Sequence, residues 1–366
     1  MAGLARIFRP VEFGDCPGWD RDDHALALSA FRRSADYALT ARYNSGSLGI
    51  GFDDLQPAFA AARALDDPDH LTARQFFETH FVPCRIIPED GVPGLVTGFY
   101  EPEIDASLTK AATCKIPFLK RPDDLVKVTD ANRPAGFDPD FAFARQTESG
   151  LEEYDDRRAI EQGSLAGRGL EIAYVADRVD AFFAHVQGAV RLKLADGTVK
   201  RLTYDAKTGH PFTAIGRILV TRGEIPPEKI SMQSIRQWLK DHPDDADELI
   251  WQNRSYIFFR EAPVDDPEAG PVAAAKVPLT KGRSMAVDKR LYTFGTPFYV
   301  SAETLTAFDN APFARLMIAQ DTGTAIVGAQ RGDLFAGSGE KAGEIAGAIR
   351  HDAMFFVLVP RGLMGA

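Results

Sequence analysis

Residues 315–343, "RLMIAQDTGTAIVGAQRGDLFAGSGEKAG", decide how the sequence is interpreted. An apolar run ends at Asp321, small residues follow, and twelve residues later Asp333 begins another apolar run before several glycines. A third acid, Asp288, comes after the apolar approach "SMAV" in the same way. An isolated Asp before a turn usually accepts hydrogen bonds from the backbone two residues later. Each acid alone is therefore typical of a turn, and the open question is whether the three share a site.

The predicted strands around these acids are short and are separated by Gly and Pro residues. From residue 277 onward they are "SMAVD", "PFYVS", "RLMIAQD", "AIVG", "DLF" and "MFFVLV". This spacing is typical of a small closed barrel. The first hundred residues instead show helical spacing in "DHALALSAFRRSADYAL", "DDLQPAFAAARAL" and "LTARQFFETHF". Asp22 and Asp23 favour the start of the first helix, and Thr72 is the expected N-cap of the last.

The middle of the chain predicts a mixture of elements. A strand at 95–100 ends at Pro102, and residues 103 to about 160 are polar enough to predict loop with little regular structure. Strands are predicted again at "EIAYVAD" and in "AFFAHVQGAVRLKLADGTVKRLTYD", where Asp196-Gly197 is a hairpin signal. "ISMQSIRQWLKDH" and "DDADELIWQ" predict helices, and "SYIFFRE" predicts a strand.

Length and composition limit the classes of protein that fit. A chain of 366 residues exceeds the usual size of a single core, so two domains are expected. With 45% hydrophobic and 26% charged residues it is an ordinary globular chain, and no stretch approaches the roughly eighteen apolar residues of a membrane span. A net charge of −10 argues against a nucleic-acid partner or an anionic lipid surface. It is compatible with a neutral substrate such as a sugar.

Motifs for metals, cofactors and nucleophiles are absent from the sequence. The seven histidines are scattered without H-E-x-x-H or Cys/His spacing, and no dinucleotide fingerprint, P-loop or G-x-S-x-G elbow is present. We therefore expect no metal and no cofactor. Three cysteines without a C-x-x-C pair make a disulfide framework improbable, although one bridge remains open. The start "MAGLARIFRPVEFGD" lacks the apolar stretch of a signal peptide, as would a chain trimmed of its leader.

The "DTG" at 321–323 also matches the active-site loop of aspartic proteases, which makes a protease an alternative. A single-chain aspartic protease needs two such loops to bring its two acids together. This chain has one, and Asp321 follows the polar Gln320 where that family places an apolar residue. The protease alternative is therefore disfavoured.

Taken together, the three acid-bearing segments resemble the three-aspartate module, a small double-psi β-barrel of enzymes that cleave cell-wall glycans. The resemblance runs through "VPLTKGRSMAVDKRLYTFGTPFYV" and "AQDTGTAIVGAQRGDLFAGSG", including Arg331 two residues before the last acid. Further segments, in order, are similar to the membrane-bound lytic transglycosylase A family. They are "TGFYEP", "EIAYVAD", "FFAHVQG", "GHPFTAIGRILVTRGEIP", "SMQSIRQWL" and "NRSYIFFRE". Together these segments cover most of residues 94–350.

The resemblance implies a mainly β fold with N-terminal helices and two domains. Residues 1–102 and 256–366 would form the helices and the double-psi barrel, and residues 103–255 an inserted, mostly β, substrate-binding domain. It also implies non-hydrolytic cleavage of the β-1,4 bond between N-acetylmuramic acid and N-acetylglucosamine in peptidoglycan, leaving a 1,6-anhydro-muramic acid end. The expected partner is the glycan strand, the expected state is a monomer, and the expected location is the periplasm, with outer-membrane association left open.

The sequence departs from the family pattern at several places. "QGAVR" stands where the family usually has Q-G-S-G-R, "DTGTAI" replaces D-x-G-G-A-I, and "VAAAKVPLT" is altered before the first barrel strand. The family's secretion leader and lipid-anchoring Cys are not found, so membrane attachment is not predicted from this sequence. None of these departures affects the three acids.

Acetal cleavage requires a proton for the departing oxygen and stabilisation of an oxocarbenium-like centre. A transglycosylase can use the 6-hydroxyl of the sugar as nucleophile, so that one acid gives and then takes a proton. The family's catalytic acid matches Asp333, and we expect Asp321 and Asp288 to raise its pKa as neighbouring carboxylates. The predicted glycan-binding residues are Thr97, Gly98, Tyr100, Tyr174, Gln187 and Gly323. A peptidoglycan-binding protein without catalytic activity is the second alternative.

Overall fold

The computed structural model describes residues 3–88, 91–139, 141–263, 266 and 268–364. The strands are β1 Phe8–Pro10, β2 Phe81–Ile86, β3 Gly94–Glu101, β4 Glu103–Ser107, β5 Ile116–Leu119, β6 Leu125–Lys127, β7 Phe143–Thr147, β8 Gly150–Glu152, β9 Glu171–Val175, β10 Ala189–Leu194, β11 Val199–Lys207, β12 Ile257–Ala262, β13 Ser284–Ala286, β14 Pro297–Ala302, β15 Phe313–Asp321, β16 Arg331–Ser338 and β17 Arg350–Pro360. The helices are α1 His24–Tyr37, α2 Phe52–Ala64, α3 His70–His80, α4 Arg157–Glu161, α5 Arg178–Gln187, α6 Ile215–Thr221, α7 Met232–Asp241, α8 Pro243–Trp251 and α9 Glu340–Gly347, with 3-10 turns at Phe13–Asp15, Trp19–Arg21, Pro227–Lys229 and Arg361–Leu363.

The chain divides into two compact units. The first is Met1–Tyr100 with Asp266–Ala366, and the second is Glu101–Asp265. A substrate-binding role for residues 103–255 stays a prediction. No helix within the described ranges is long and apolar enough to cross a membrane.

The first unit contains a closed ring of strands. Its sheet has the order β1-β2-β17-β14-β15-β13-β16-β3, and a further pairing of β17 with β3 closes six of these strands into a barrel. The long β17 makes closure possible, because residues 350–353 pair with β3 and residues 354–357 pair with β14. The pairing of β13 with β15 is parallel, whereas its pairing with β16 is antiparallel. The predicted double-psi barrel is confirmed by this closed sheet and its mixed pairings.

One predicted strand of the barrel is wrong. Residues 325–328, "AIVG", form a turn between β15 and β16. The amide of Ile326 bonds to the carbonyl of Gly323, and Gly328 adopts a φ of +112°, a conformation that L side chains rarely adopt. Apolar residues at this position suggested a strand, although only Ile326 of the segment is buried.

The helices α1, α2 and α3 pack beside the barrel through aromatic side chains. The Phe31 ring lies 5.1 to 5.9 Å from the rings of Phe59, Phe76, Phe77 and Phe81. Capping defines where α1 and α3 begin. Asp23 accepts from the Leu26 amide, as expected for α1.

The predicted N-cap of α3 is wrong. Asp69, not Thr72, caps this helix by accepting from the Thr72 amide at 2.7 Å. Thr72 is the third residue inside the helix, where its amide is one of the donors that a cap must satisfy.

The second unit is richer in regular structure than the sequence predicted. It has a six-stranded sheet in the order β12-β11-β10-β4-β9-β5 and a three-stranded sheet β6-β7-β8. Residues 103–160, predicted as loop, therefore contribute five strands and helix α4. These strands are three to five residues long and carry polar side chains on exposed positions, so their pairing partners rather than their own sequence specify them.

Residues 181–187, predicted as a strand, lie in helix α5. All of residues 181–185 are buried, so the segment lacks the polar face that reveals a helix by its periodicity. The signals that were available are at its ends. Asp177 caps the helix by accepting from the Val179 and Asp180 amides, and Gly188 ends it with a φ of +79°. The hairpin predicted at Asp196-Gly197 is confirmed by the antiparallel pairing of β10 with β11.

The second unit contains a buried ion-pair cluster. Glu101 has no exposed surface, and its carboxylate accepts from Arg201 at 2.6 and 3.1 Å and from Arg191 at 2.8 Å. Removing one partner of such a cluster leaves a buried charge without compensation.

We predict that Glu101→Gln lowers the free energy of unfolding by about 3 kcal/mol, because two arginines lose the charge that faces them. Glu261→Gln is the matched control, since Glu261 pairs with Lys200 at the surface. Glu261→Gln should lower the free energy of unfolding by less than about 1 kcal/mol. Urea unfolding followed by circular dichroism measures both, and equal losses would contradict a structural role for the cluster.

Candidate active site

Two of the three predicted acids lie on either side of one small residue. Ala286 on β13 pairs with Asp321 on β15 and with Asp333 on β16. Residues directly opposite each other on neighbouring strands project from the same face of a sheet. Ala286 carries only a methyl group, so no bulky side chain separates the two carboxylates. The sheet therefore brings Asp321 and Asp333 together, although they are twelve residues apart in the chain.

The same row continues across the next two strands. Thr97 on β3 donates its hydroxyl hydrogen to Asp333 Oδ1. Arg350 on β17 pairs with Thr97. The row across β17, β3, β16, β13 and β15 thus reads Arg350, Thr97, Asp333, Ala286 and Asp321.

Arg331 fixes the direction of the hydrogen bond at Asp333. Its Nη2 donates to Thr97 Oγ1 at 2.7 Å, and its Nη1 donates to the Gly332 carbonyl at 2.7 Å. A guanidinium group can only donate, so the Thr97 hydroxyl accepts from Arg331 and gives its own hydrogen to Asp333. Oδ1 of Asp333 is therefore an acceptor, and an acidic proton on Asp333 belongs on Oδ2.

Burial raises the pKa of both acids in the row. For Asp333 the Thr97 hydrogen bond and the Arg331 charge oppose this effect, but its pKa remains above the ordinary value. For Asp321 burial raises the pKa to about 6, with a contribution from the negative charge of Asp333 and opposing hydrogen bonds from the Thr322 and Ala274 amides. Two such carboxylates titrate as a pair. Near neutral pH the site can hold a proton that isolated aspartates would have lost.

Asp288 has a different environment. Although burial acts to raise its pKa, hydrogen bonds from Arg290 and from the Gly328 and Arg290 amides lower it overall. The Arg290 Nε lies 3.2 Å from Asp288 Oδ1, and the Gly328 amide lies 3.1 Å from Oδ2. The expectation that Asp288 raises the pKa of Asp333 stays a prediction, because the raised Asp333 pKa is due to burial and the charge of Asp288 is paired with Arg290. Asp288 instead holds the β15–β16 connection.

Apolar side chains border the row on the same face. Ala286 belongs to a buried cluster with Phe99, Leu279, Ile326 and Phe335. The Phe99 and Phe335 ring centroids are 5.3 Å apart. Because Phe99 and Phe335 follow Thr97 and Asp333 by two residues, they project from the same face of their strands. This cluster limits the access of water to the carboxylates, which is consistent with their raised pKa values.

The predicted glycan-binding residues are found in several environments. Thr97 contacts Asp333 directly. Tyr100 is buried, and its ring packs so close to Gly343 that a Cβ there would lie 2.9 Å from it. Gly98 permits a similar approach of Ala346 and Ile349, while Gly323 is exposed in the turn after Asp321.

The remaining two belong to the second unit. Tyr174 is half-buried on β9, and Gln187 is half-buried at the end of α5. Their part in binding stays a prediction.

Sequence reasoning missed three contributors to this site. Arg331 was noted in the motif, but its contact with Thr97 depends on the pairing of β3 with β16. Ala286 was unremarkable until the register placed it between two acids. The Ala274 amide donates to Asp321 Oδ1 at 3.1 Å from a segment 47 residues away. Such backbone donors leave no signal in a sequence. Within the described residues, no cluster of three or more His, Cys, Asp or Glu side chains could hold a metal ion.

Comparison with known proteins identifies both parts of the chain. Residues 95–260 match the family model described as the MltA specific insert domain, and residues 283–359 match the 3D domain. The membrane-bound lytic murein transglycosylase A of Vibrio cholerae is 34% identical over 201 residues, and that of Escherichia coli K12 is 30% identical over 270 residues. These matches cover 53% and 72% of this chain and 53% and 64% of the relatives. The chain thus spans about half to two thirds of the length of these curated relatives.

Solved structures match nearly the whole chain. The membrane-bound lytic murein transglycosylase of Agrobacterium tumefaciens is 50% identical with a TM-score of 0.92, covering 97% of this chain and 98% of that protein. The MltA of Neisseria gonorrhoeae is 30% identical with a TM-score of 0.79, covering 97% and 93% of the two chains.

The contacts of Asp288 predict how it contributes to stability. Asp288→Asn should lower the free energy of unfolding at neutral pH by about 1–3 kcal/mol, because the Arg290 and backbone donors lose a charged acceptor. The folded pKa lies below the ordinary value of 3.8, so this contribution is present above that pH and is lost as the pH falls below it. Denaturant unfolding at several pH values measures the difference from the wild type. Asp53→Asn, at an exposed ion pair, is the control. A difference that does not shrink at low pH would contradict this role.

Proposed function

The chain belongs to the MltA family of lytic murein transglycosylases, and we propose that it cleaves the β-1,4 bond between N-acetylmuramic acid and N-acetylglucosamine in peptidoglycan without water. The observation that carries the proposal is the position of Asp333. It is a half-buried acid whose pKa is raised by burial, with one oxygen held by Thr97 and a second carboxylate across Ala286.

In the first step, Asp333 acts as the general acid. Its Oδ2 proton passes to the glycosidic oxygen as the bond to the anomeric carbon of the muramic acid breaks. The Thr97 hydroxyl keeps Oδ1 as an acceptor and stabilises the carboxylate that forms. Arg331, behind Thr97, adds a positive charge that favours the same ionised state.

In the second step, the new carboxylate acts as the base. It takes the proton from the 6-hydroxyl of the same sugar as that oxygen bonds to the anomeric carbon, which closes the 1,6-anhydro ring. Asp333 is then protonated again, so no water is consumed. We propose that Asp321 tunes this cycle, because two carboxylates near each other resist simultaneous ionisation. Raised pKa values in the pair keep the acid protonated at a higher pH than an isolated aspartate would allow.

The family supports a periplasmic location for this activity, and the names of the curated relatives include membrane attachment. For this chain both are proposals. We propose that the glycan strand is its macromolecular partner and that it acts as a monomer.

Product analysis tests the reaction. Purified cell-wall sacculi digested with the protein should release fragments one water lighter than lysozyme products, with no new reducing ends, because the 6-hydroxyl replaces water as nucleophile. Mass spectrometry with an assay for reducing ends measures both. Reducing muramic ends as the main product would replace the transglycosylase with a hydrolase. Absence of any soluble product would favour a binding protein.

Asp333→Asn should lower turnover on sacculi by on the order of 10²–10⁴-fold, because it removes both the proton donor and the base. Its melting temperature should hold or rise, since the exchange adds no bulk and removes a charge from the pair. Asp53→Asn makes the same change of charge at the surface and should keep full activity. Near-normal turnover of Asp333→Asn with collapse in Asp321→Asn would assign the acid to Asp321.

Thr97→Val tests the hydrogen bond to Asp333. The Thr97 hydroxyl favours the charged carboxylate and lowers the Asp333 pKa, so its loss should raise that pKa. The general acid then stays protonated to higher pH, so the alkaline limb of the pH–rate profile should move to higher pH. Thr97→Ser keeps the hydroxyl and should restore the wild-type limb. If the alkaline limb of Thr97→Val moved to lower pH, or did not move, the proposed hydrogen bond from Thr97 to Asp333 would be contradicted.

A further inference from the structure

Arg350 lies at one end of the row of side chains that contains Thr97, Asp333 and Asp321. It pairs with Thr97 in the antiparallel ladder of β17 and β3, so its side chain leaves the sheet on the face that carries the Thr97 hydroxyl. Two strand spacings separate it from Asp333, which corresponds to about 10 Å between their Cα atoms. A long side chain at this position can reach a substituent of a sugar whose anomeric carbon is beside Asp333.

The guanidinium of Arg350 is available to a ligand. Arg350 is exposed, and no carboxylate of the described residues forms an ion pair with it within 4.0 Å, although the exposed Asp352 follows on the same face. Its neighbour Arg331 is different, since it is half-buried and donates to Thr97 and to the backbone. Arg350 also contributes, after burial, to lowering the pKa of Arg331, so the two cations are near each other. An anion bound at Arg350 would relieve this repulsion.

A pocket provides room beside Arg350. It has a volume of about 820 Å³, within the range of pockets that take small ligands. Arg85, Gln330 and His351 line it together with Arg350, and the acids among its described lining residues are Glu303 and Asp352. The exposed side chains of Ile87, Val92 and Met354 give it an apolar part. The pocket is thus suited to a short chain that carries carboxylates and apolar groups.

We propose that Arg350 binds a carboxylate on the arm at position 3 of muramic acid and so distinguishes this sugar from N-acetylglucosamine next to Asp333. This inference rests on the proposed function. The two sugars differ by a lactyl ether, whose carboxylate is free in peptide-free strands. In peptide-bearing strands the lactyl group is an amide, and the carboxylates lie on the attached peptide. A guanidinium fork suits a carboxylate from either source.

Binding measurements test the role of Arg350 without depending on turnover. In an Asp333→Asn background, calorimetry would give the Kd of a peptide-free murein tetrasaccharide, its peptide-bearing form and the uncharged chitotetraose. Arg350→Gln should weaken the carboxylate-bearing ligands on the order of 10-fold more than chitotetraose, because only they lose a charge-assisted hydrogen bond. Arg350→Lys should recover part of the loss. Arg222→Gln, at an exposed arginine that ends helix α6 outside the pocket lining, is the matched control and should change none of the three constants.

The pattern across the ligands identifies the carboxylate. A selective loss with the peptide-free ligand alone assigns the lactyl group, and a selective loss with the peptide-bearing ligand alone assigns the peptide. Equal effects on all three ligands, or no effect, would overturn the proposal. Failure of the proposed function is a separate result, since it would be seen in the Arg350-intact, Asp333-intact protein as an absence of 1,6-anhydro products.

Discussion

The register of β13 between β15 and β16 is the constraint on which the site depends. Ala286 faces Asp321 on one side and Asp333 on the other, in a parallel and an antiparallel pairing respectively. A slip of one residue in β15 or β16 would turn its acid to the opposite face, because side chains alternate along a strand. Barrel closure resists such a slip, since β16 is also held by β3, and β3 by β17. The short β13 is therefore fixed by its neighbours rather than by its own three residues.

Buried polar contacts from the N-terminal segment reinforce the same register. Gln320, next to Asp321, accepts from Ser284 of β13 and donates to the Ala30 carbonyl and the Ser34 hydroxyl of α1. Asp22, just before α1, accepts from Arg283 and from the Leu316 amide of β15. Such groups are costly to bury unless all are paired, so they specify one alignment of α1 with β13 and β15. The helical segment thus positions Asp321 through the residue that precedes it.

Much of this could be predicted from local sequence. Apolar runs bounded by Gly and Pro indicated the barrel strands, and the matching positions of Asp321 and Asp333 indicated a shared site. Helix α5 was missed because its buried faces gave no helical period, and residues 325–328 were missed because an apolar turn resembles a short strand. The role of Thr97 could not be predicted, since its contact with Asp333 joins residues 236 positions apart. Long-range register, rather than composition, determines those contacts.

The three acids have similar sequence surroundings, but their electrostatic environments in the fold differ. Asp288 is held by Arg290 and two amides, so its negative charge is balanced within its own loop. If that charge were unbalanced, it would add to the repulsion between Asp321 and Asp333. Pairing it with Arg290 leaves two carboxylates, Asp321 and Asp333, whose pKa values are both raised by burial, and the charge of Asp333 adds to the effect at Asp321. Thr97 and Arg331 act on Asp333 alone, which makes the pair unequal. That inequality stabilises the ionised form of Asp333, so in the proposed cycle it favours release of the proton to the leaving oxygen, while burial favours its recovery.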